Sequence, residues 1–122
     1  MDWARVLPMR CAPIPVVVDQ VLVADVTGDG VPDALVKARC DAAAGSPPSS
    51  LFAYAGGEQG PTPLGPLVTE RDDVLLGAVT VTDGVVSVKA TTWSGPDVPR
   101  CCPDVQRVLH WRWDGSSLTA LP

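Results

Sequence analysis

Apolar and polar residues alternate along most of this chain in short runs, cut by Gly, Pro and Asp. From Ala34 to Cys40 the period is two. Ala34, Val36, Ala38 and Cys40 fall on one face, and Lys37 and Arg39 on the other, which predicts a half-buried strand over 33–40. An apolar run from about Val16 to Asp25 predicts the strand before it, and the loop 26–32 joins the two into a first hairpin. Residues 41–50 (DAAAGSPPSS) read as a flexible surface loop. Leu51 to Ala55 follows as a short strand closed by Gly56-Gly57. The stretch 60–66 is broken by Pro61, Pro63 and Pro66 and reads as edge or loop, with a brief strand near 67–70.

The clearest hairpin comes next: Val74 to Thr82, the pair Asp83-Gly84, then Val85 to Thr92. Asp-Gly between alternating β-branched runs favours a two-residue type I′ turn. Val86, Val88 and Ala90 should face the core, and Ser87, Lys89 and Thr91 should face out. Trp93 to Pro103 is irregular, Val105 to Trp113 is a strand, Asp114-Gly115 turns it, and Leu118 to Leu121 closes the chain. A short helical turn fits near 2–8 or 69–74. This predicts a mainly β fold: an extended lead-in over 1–15 and a single antiparallel domain over 16–122. About seven or eight short strands form a curled meander, sandwich or barrel.

Composition agrees with that picture. The 122 residues suffice for one domain, and the apolar 46% is carried by Val, Ala and Leu rather than by aromatics. Thirteen Pro and eleven Gly keep the elements short. A net charge of −5 without any Lys/Arg run argues against nucleic acid and against electrostatic docking on an anionic membrane. No apolar stretch approaches the roughly 20 residues of a membrane-spanning helix. The expectation is a monomer.

Cys11, Cys40, Cys101 and Cys102 form an even set in a small, Pro/Gly-rich, acidic domain, with no C-x-x-C pair of the kind metal sites use. They point to disulfide stapling and therefore to an extracellular or cell-envelope location. The first residues lack a secretory signal, so a signal or anchor is taken to have been removed. Of the three pairings, a bridge between neighbours Cys101 and Cys102 closes a strained ring. Each of them is therefore expected to reach a distant partner, one Cys11 and the other Cys40. Bridges that long stabilise by roughly 4 kcal/mol each in the loop-closure model. A reactive vicinal pair is the functional alternative, and little beyond Arg100 lowers a thiol pKa nearby.

The run Asp25-Val-Thr27-Gly28-Asp29-Gly30-Val31-Pro32-Asp33 follows a D-x-[DNT]-x-D-G-x-x-D pattern. Oxygens at alternate positions converge when the backbone curls at the glycines, and Ca²⁺ takes six to eight of them. Asp25, Thr27, Asp29 and Asp33 are candidate side-chain ligands and Val31 a candidate carbonyl ligand. An EF-hand is excluded, since its twelfth position needs Glu and here holds Val36. The run resembles the calcium loop of the FG-GAP and VCBS repeats over about twenty residues, although Thr27 stands where that pattern has Asp or Asn. The competing reading is a tight hairpin whose Asp side chains bond loop amides.

The order of features is wider in its resemblance. A Cys, an apolar strand into D-x-T-G-D-G-x-P-D-A-L-V, R-C, L-F-A-Y, D-G-x-V-x-V, C-C-P and W-R-W-D-G is similar to the small extracellular domain of actinobacterial secreted proteins and lipoproteins of the LppP/LprE type. That resemblance spans most of 11–115 and implies an exported, envelope-associated domain.

Catalytic chemistry is sparse. His110 is the single histidine, on the strand face of Gln106, Val108 and Arg112, and one His builds neither a triad with a recognisable nucleophile nor a typical catalytic zinc site. No G-x-S-x-G, phosphate loop or H-E-x-x-H is present. Trp111 and Trp113 share the core face of Leu109, and Trp93 is left as the candidate ligand surface. The function expected is an exported, non-catalytic binding or sensory module at the cell envelope, with a protein or cell-wall glycan partner. A Ca²⁺-stabilised carbohydrate- or peptidoglycan-binding domain is the alternative, and a carboxylate hydrolase comes third.

Overall fold

A computed structural model describes residues 1–41 and 47–122; the centre of the loop expected over 41–50 lies outside the described residues. The elements are α1 (Trp3–Val6), β1 (Val16–Ala24), β2 (Asp33–Cys40), β3 (Ser50–Ala55), β4 (Thr62–Val68), a 3₁₀ turn (Glu70–Asp72), β5 (Leu75–Thr82), β6 (Val85–Thr92), β7 (Val105–Trp113) and β8 (Leu118–Leu121). The strands form two antiparallel four-stranded meanders, β1-β2-β3-β4 and β5-β6-β7-β8. The single antiparallel β fold expected from the alternation is therefore present, and both short helical turns fall where the sequence allowed them. Asp83 and Gly84 both have positive φ (51° and 77°), as a type I′ hairpin turn requires.

The main core lies between the sheets. Leu35, Leu51, Ala53 and Val68 of the first, with Val26 of the loop after β1, meet Val79, Val86, Val88 and Trp111 of the second. Val86, Val88 and Ala90 are buried, the face the alternation assigned to the core. A second, smaller cluster covers the opposite side of the first sheet, where Leu7, Trp3 and Met9 of the lead-in pack on Val36, Ala38, Phe52 and Tyr54. The rings of Trp3 and Tyr54 lie 4.8 Å apart. This third layer corrects the half-buried reading of β2. Val36 (0% exposed) sits under the lead-in and Leu35 (1%) between the sheets, so both faces of the strand are covered.

A bulge in β1 makes the two clusters compatible. Val18 pairs with Ala38 but Gln20 pairs with Lys37, leaving Asp19 as the extra residue, its carboxylate 3.2 Å from Arg39 Nε. The extra residue switches the parity of the strand. Val16 and Val18 pack under the lead-in, whereas Leu22 packs between the sheets.

One seam of the sandwich is clasped by side chains on the backbone of β5. Gln20 Nε2 donates to Val79 O (3.0 Å), and Val79 N donates to Gln20 Oε1 (2.8 Å). Lys37 Nζ donates to Gly77 O (2.8 Å), Leu76 N donates to Ser49 Oγ (3.1 Å), and Ser49 N donates to Val74 O (2.8 Å). These bonds satisfy main-chain groups at and just before the open edge of β5, the first strand of the second sheet.

The disulfide pairing differs from the expected one. Cys11 bonds Cys40 (Cα–Cα 5.4 Å), and Cys101 bonds Cys102 (Cα–Cα 3.8 Å). The reason is layering. Cys11 rides on the lead-in that crosses the first sheet and Cys40 ends β2 of that sheet, so these sulfurs meet within one side of the molecule. Cys101 and Cys102 precede β7 of the other sheet, in an exposed turn where Cys102 N donates to Pro99 O (3.0 Å). Neither is in a strand, so no ladder holds their peptide against ring closure.

Candidate functional site

The acidic loop between β1 and β2 is organised around Asp33, the first residue of β2 and 1% exposed. Its Oδ2 accepts from Val26 N (2.9 Å), Thr27 N (3.3 Å) and Thr27 Oγ1 (3.4 Å), and its Oδ1 accepts from Gly56 N (3.1 Å). The carboxylate thus ties the loop to its own hairpin and to the end of β3. Asp25 caps the curl from outside, accepting from Gly28 N (2.8 Å) and Gly30 N (2.9 Å), and Asp29 Oδ1 accepts from Val31 N (2.9 Å). Gly28 and Gly30 have φ near +80°, the left-handed conformation the curl requires. The amides of Gly30 and Gly28 hold the exposed Asp25 carboxyl below its ordinary value of 3.8.

Of the candidate Ca²⁺ ligands, the fold brings Asp25, Asp29 and Asp33 together, with carboxylate oxygens within 4.8 Å of one another. Thr27 reaches Asp33 rather than standing apart, and Val31 joins through its amide on Asp29. The donor set suits a hard cation, and every one of the three carboxylates also accepts loop amides, which is the hairpin reading of the same residues. Cys11, Cys40 and Glu70 also lie close together, but the two sulfurs are bonded to each other and offer no thiolate.

The same device recurs at the β7–β8 turn. Asp114 accepts from the amides of Ser116 and Ser117 (2.8 and 2.9 Å) and from the Thr119 hydroxyl (2.9 Å). These bonds hold its carboxyl well below the usual range.

Trp93 lies in the irregular loop between β6 and β7. Its Nε1 donates to Pro99 O (3.1 Å), and Arg100 lies over its ring with the guanidinium carbon 3.6 Å from the centroid. Arg100 is also bidentate on Asp73 (2.9 and 3.0 Å), a left-handed residue (φ 51°) that follows the 3₁₀ turn. At the loop's base Ser94 donates both its amide (2.8 Å) and its hydroxyl (2.6 Å) to Asp104, which lowers the Asp104 carboxyl. One face of the indole is therefore taken by a cation, and the ring is half-buried. The sequence signalled Trp93 but not its partners: Asp73 and Arg100 are 27 residues apart.

His110 Nδ1 lies 2.8 Å from Ser87 Oγ, its direct cross-strand neighbour. Among the described residues no carboxylate pairs with the His110 ring. The pair is a cross-strand hydrogen bond on the outward face of the second sheet, which the sequence reading did not anticipate.

Fold and site together define a class: a two-sheet antiparallel β module with a disulfide-clamped lead-in and Asp-pinned turns. Compared with protein-family models, curated proteins and solved structures, the chain matches none. No helix among the described residues is long and apolar enough to cross a membrane.

Proposed function

We propose that this chain is an exported, non-catalytic binding module of the cell envelope, a reading consistent with its disulfides and with the resemblance to actinobacterial lipoprotein domains. The observation that carries it is the Trp93–Arg100–Asp73 stack. A long irregular loop is held in one conformation with an aromatic and a guanidinium at its surface. Trp and Arg dominate binding hot spots, and a loop ordered in advance loses little entropy on association. The test is co-sedimentation with purified envelope fractions, for wild type and for Trp93→Ala and Arg100→Ala. Retention reduced in both variants supports the reading. Equal retention of all three proteins, or none, overturns it.

A Ca²⁺-stabilised glycan-binding domain is the second reading, favoured by the convergence of Asp25, Asp29 and Asp33. Titration calorimetry with CaCl₂ tests it. Binding heat and a raised melting temperature, both lost in Asp29→Asn, support it, and a melting temperature indifferent to Ca²⁺ and to EGTA removes the ion.

A further inference from the structure

The outer side of the first sheet carries a groove between the lead-in and β4. Two adjoining cavities, of about 230 and 430 Å³, share Pro8, Phe52 and Pro66 in their walls. The wider one by itself falls in the range of roughly 300–1,000 Å³ usual for small-ligand sites. The narrower part is walled by Val6, Pro63 and Gly65 and is apolar; the wider part opens onto Arg10 and Arg71. Val6 remains 42% exposed although it faces this groove.

The chemistry of the walls selects the occupant. An extended peptide would add to the edge of β4, but Pro63 and Pro66 in that strand have no N–H to offer, nor do Pro8 and Pro61 beside it. A peptide backbone laid there would lose water without gaining partners. An acyl chain has no such groups to satisfy. At the wide end the two guanidiniums have no hydrogen-bond or ion-pair partner among the described residues, whereas Arg5, Arg39 and Arg100 are paired with Asp. Glu70 also lines this end, with Oε1 3.9 Å from Cys40 Sγ at the disulfide. Two cations and one anion leave a net positive mouth on a chain of net charge −5.

We propose that this groove binds a single-chain amphiphile with an anionic head, its tail along the prolines and Phe52 and its head at Arg10 and Arg71. The site is separate from the Trp93 loop and does not depend on it.

The probes are hexadecanoate and hexadecyl phosphate below their micellar concentrations, with hexadecanol and an apolar carboxyl-terminal peptide as comparisons, measured by tryptophan fluorescence and calorimetry. One anionic amphiphile should bind per chain. The doubly reversed variant Arg10→Glu/Arg71→Glu and the neutral hexadecanol should each weaken binding at least about tenfold, because charge-assisted contacts are lost. Val6→Asp, which places a charge on the apolar wall, should do the same. Arg10, Arg71 and Val6 are all exposed, so melting curves should stay at the wild-type midpoint. Preference for the carboxylate or for the phosphate identifies the head group, and either supports the site. Absence of binding, equal binding of hexadecanol, undiminished binding by the variants, or preference for the peptide overturns it.

Discussion

Gln20 and Val79 form a reciprocal pair across the two sheets, side-chain amide against main-chain amide, at 3.0 and 2.8 Å. A carboxamide here imitates one rung of a β ladder at an edge where no strand follows. Replacing it strips both a donor and an acceptor from a partly buried backbone unit. Gln20→Leu should lower unfolding free energy by about 1–3 kcal/mol. Gln20→Glu should not rescue it, because a carboxylate accepts from Val79 N but repels Val79 O. Urea unfolding of the two variants checks this, and a midpoint unchanged in Gln20→Leu would show that the clasp contributes nothing.

Gly56 is the second joint. A Cβ there would collide with Pro32 O, a main-chain atom that cannot swing aside, and the Gly56 amide is bound to Asp33. Gly57 has only a distant neighbour, Gly60 O at 3.8 Å. Gly56→Ala should therefore destabilise by roughly 1–3 kcal/mol, and Gly57→Ala by much less. The paired melting temperatures decide: equal shifts would mean that the acidic loop does not dock on the end of β3.

The two bridges should differ in worth. Cys11–Cys40 spans 29 residues, so the loop-closure model assigns it about 3.5 kcal/mol. Cys101–Cys102 encloses no chain and ties no two segments together, so its removal should cost under about 1 kcal/mol in the same model. Cys11→Ser/Cys40→Ser and Cys101→Ser/Cys102→Ser, each compared with wild type in urea, measure the difference. Equal losses would contradict the layered pairing. A thiol assay on the untreated protein should find no free groups.

Acid should weaken the fold through its turns. Asp114, Asp25 and Asp104 are all held below 3.8 in the folded chain by amides and hydroxyls, and return to ordinary titration when it unfolds. Their stabilisation is complete above that value and disappears as the pH falls through the folded values. Stability should therefore be flat from neutrality to about pH 5 and decline below about pH 4. Asp114→Asn keeps an acceptor for the turn but removes the titration, so it should flatten the acid limb of a plot of urea midpoint against pH. An unaltered limb would assign acid sensitivity to other groups.

Much of the fold was legible because strand and turn signals are local. The alternation around Asp83-Gly84 specified β5, the type I′ turn, β6 and its buried face together, since a two-residue turn fixes register. Prolines 61, 63 and 66 left 60–66 as edge or loop with a brief strand expected near 67–70, whereas the edge strand β4 runs through them over Thr62–Val68, since an edge needs no N–H from its outer side. Less was legible at the site. Asp25, Asp29 and Asp33 announce themselves by spacing, but Gly56 lies 23 residues from Asp33, which holds it, and Asp73 lies 27 residues from Arg100, which it anchors over Trp93, and neither carries a signature. The half-buried reading of β2 failed for the same reason: a strand cannot signal that a lead-in without periodicity will cover its second face.

What the residues determined unaided is the local grammar: antiparallel β class, hairpins and the curled acidic loop, all set by backbone preferences and period-two burial acting over a few neighbours. What only the tertiary structure decided is which distant parts meet. The lead-in on the outer face chose Cys11 for Cys40, the bulge at Asp19 turned Gln20 toward β5, and the meeting of lead-in and β4 left an apolar groove beside Arg10 and Arg71. Those choices depend on which surfaces can be packed and satisfied at once, a condition on the whole chain that no short window of sequence contains.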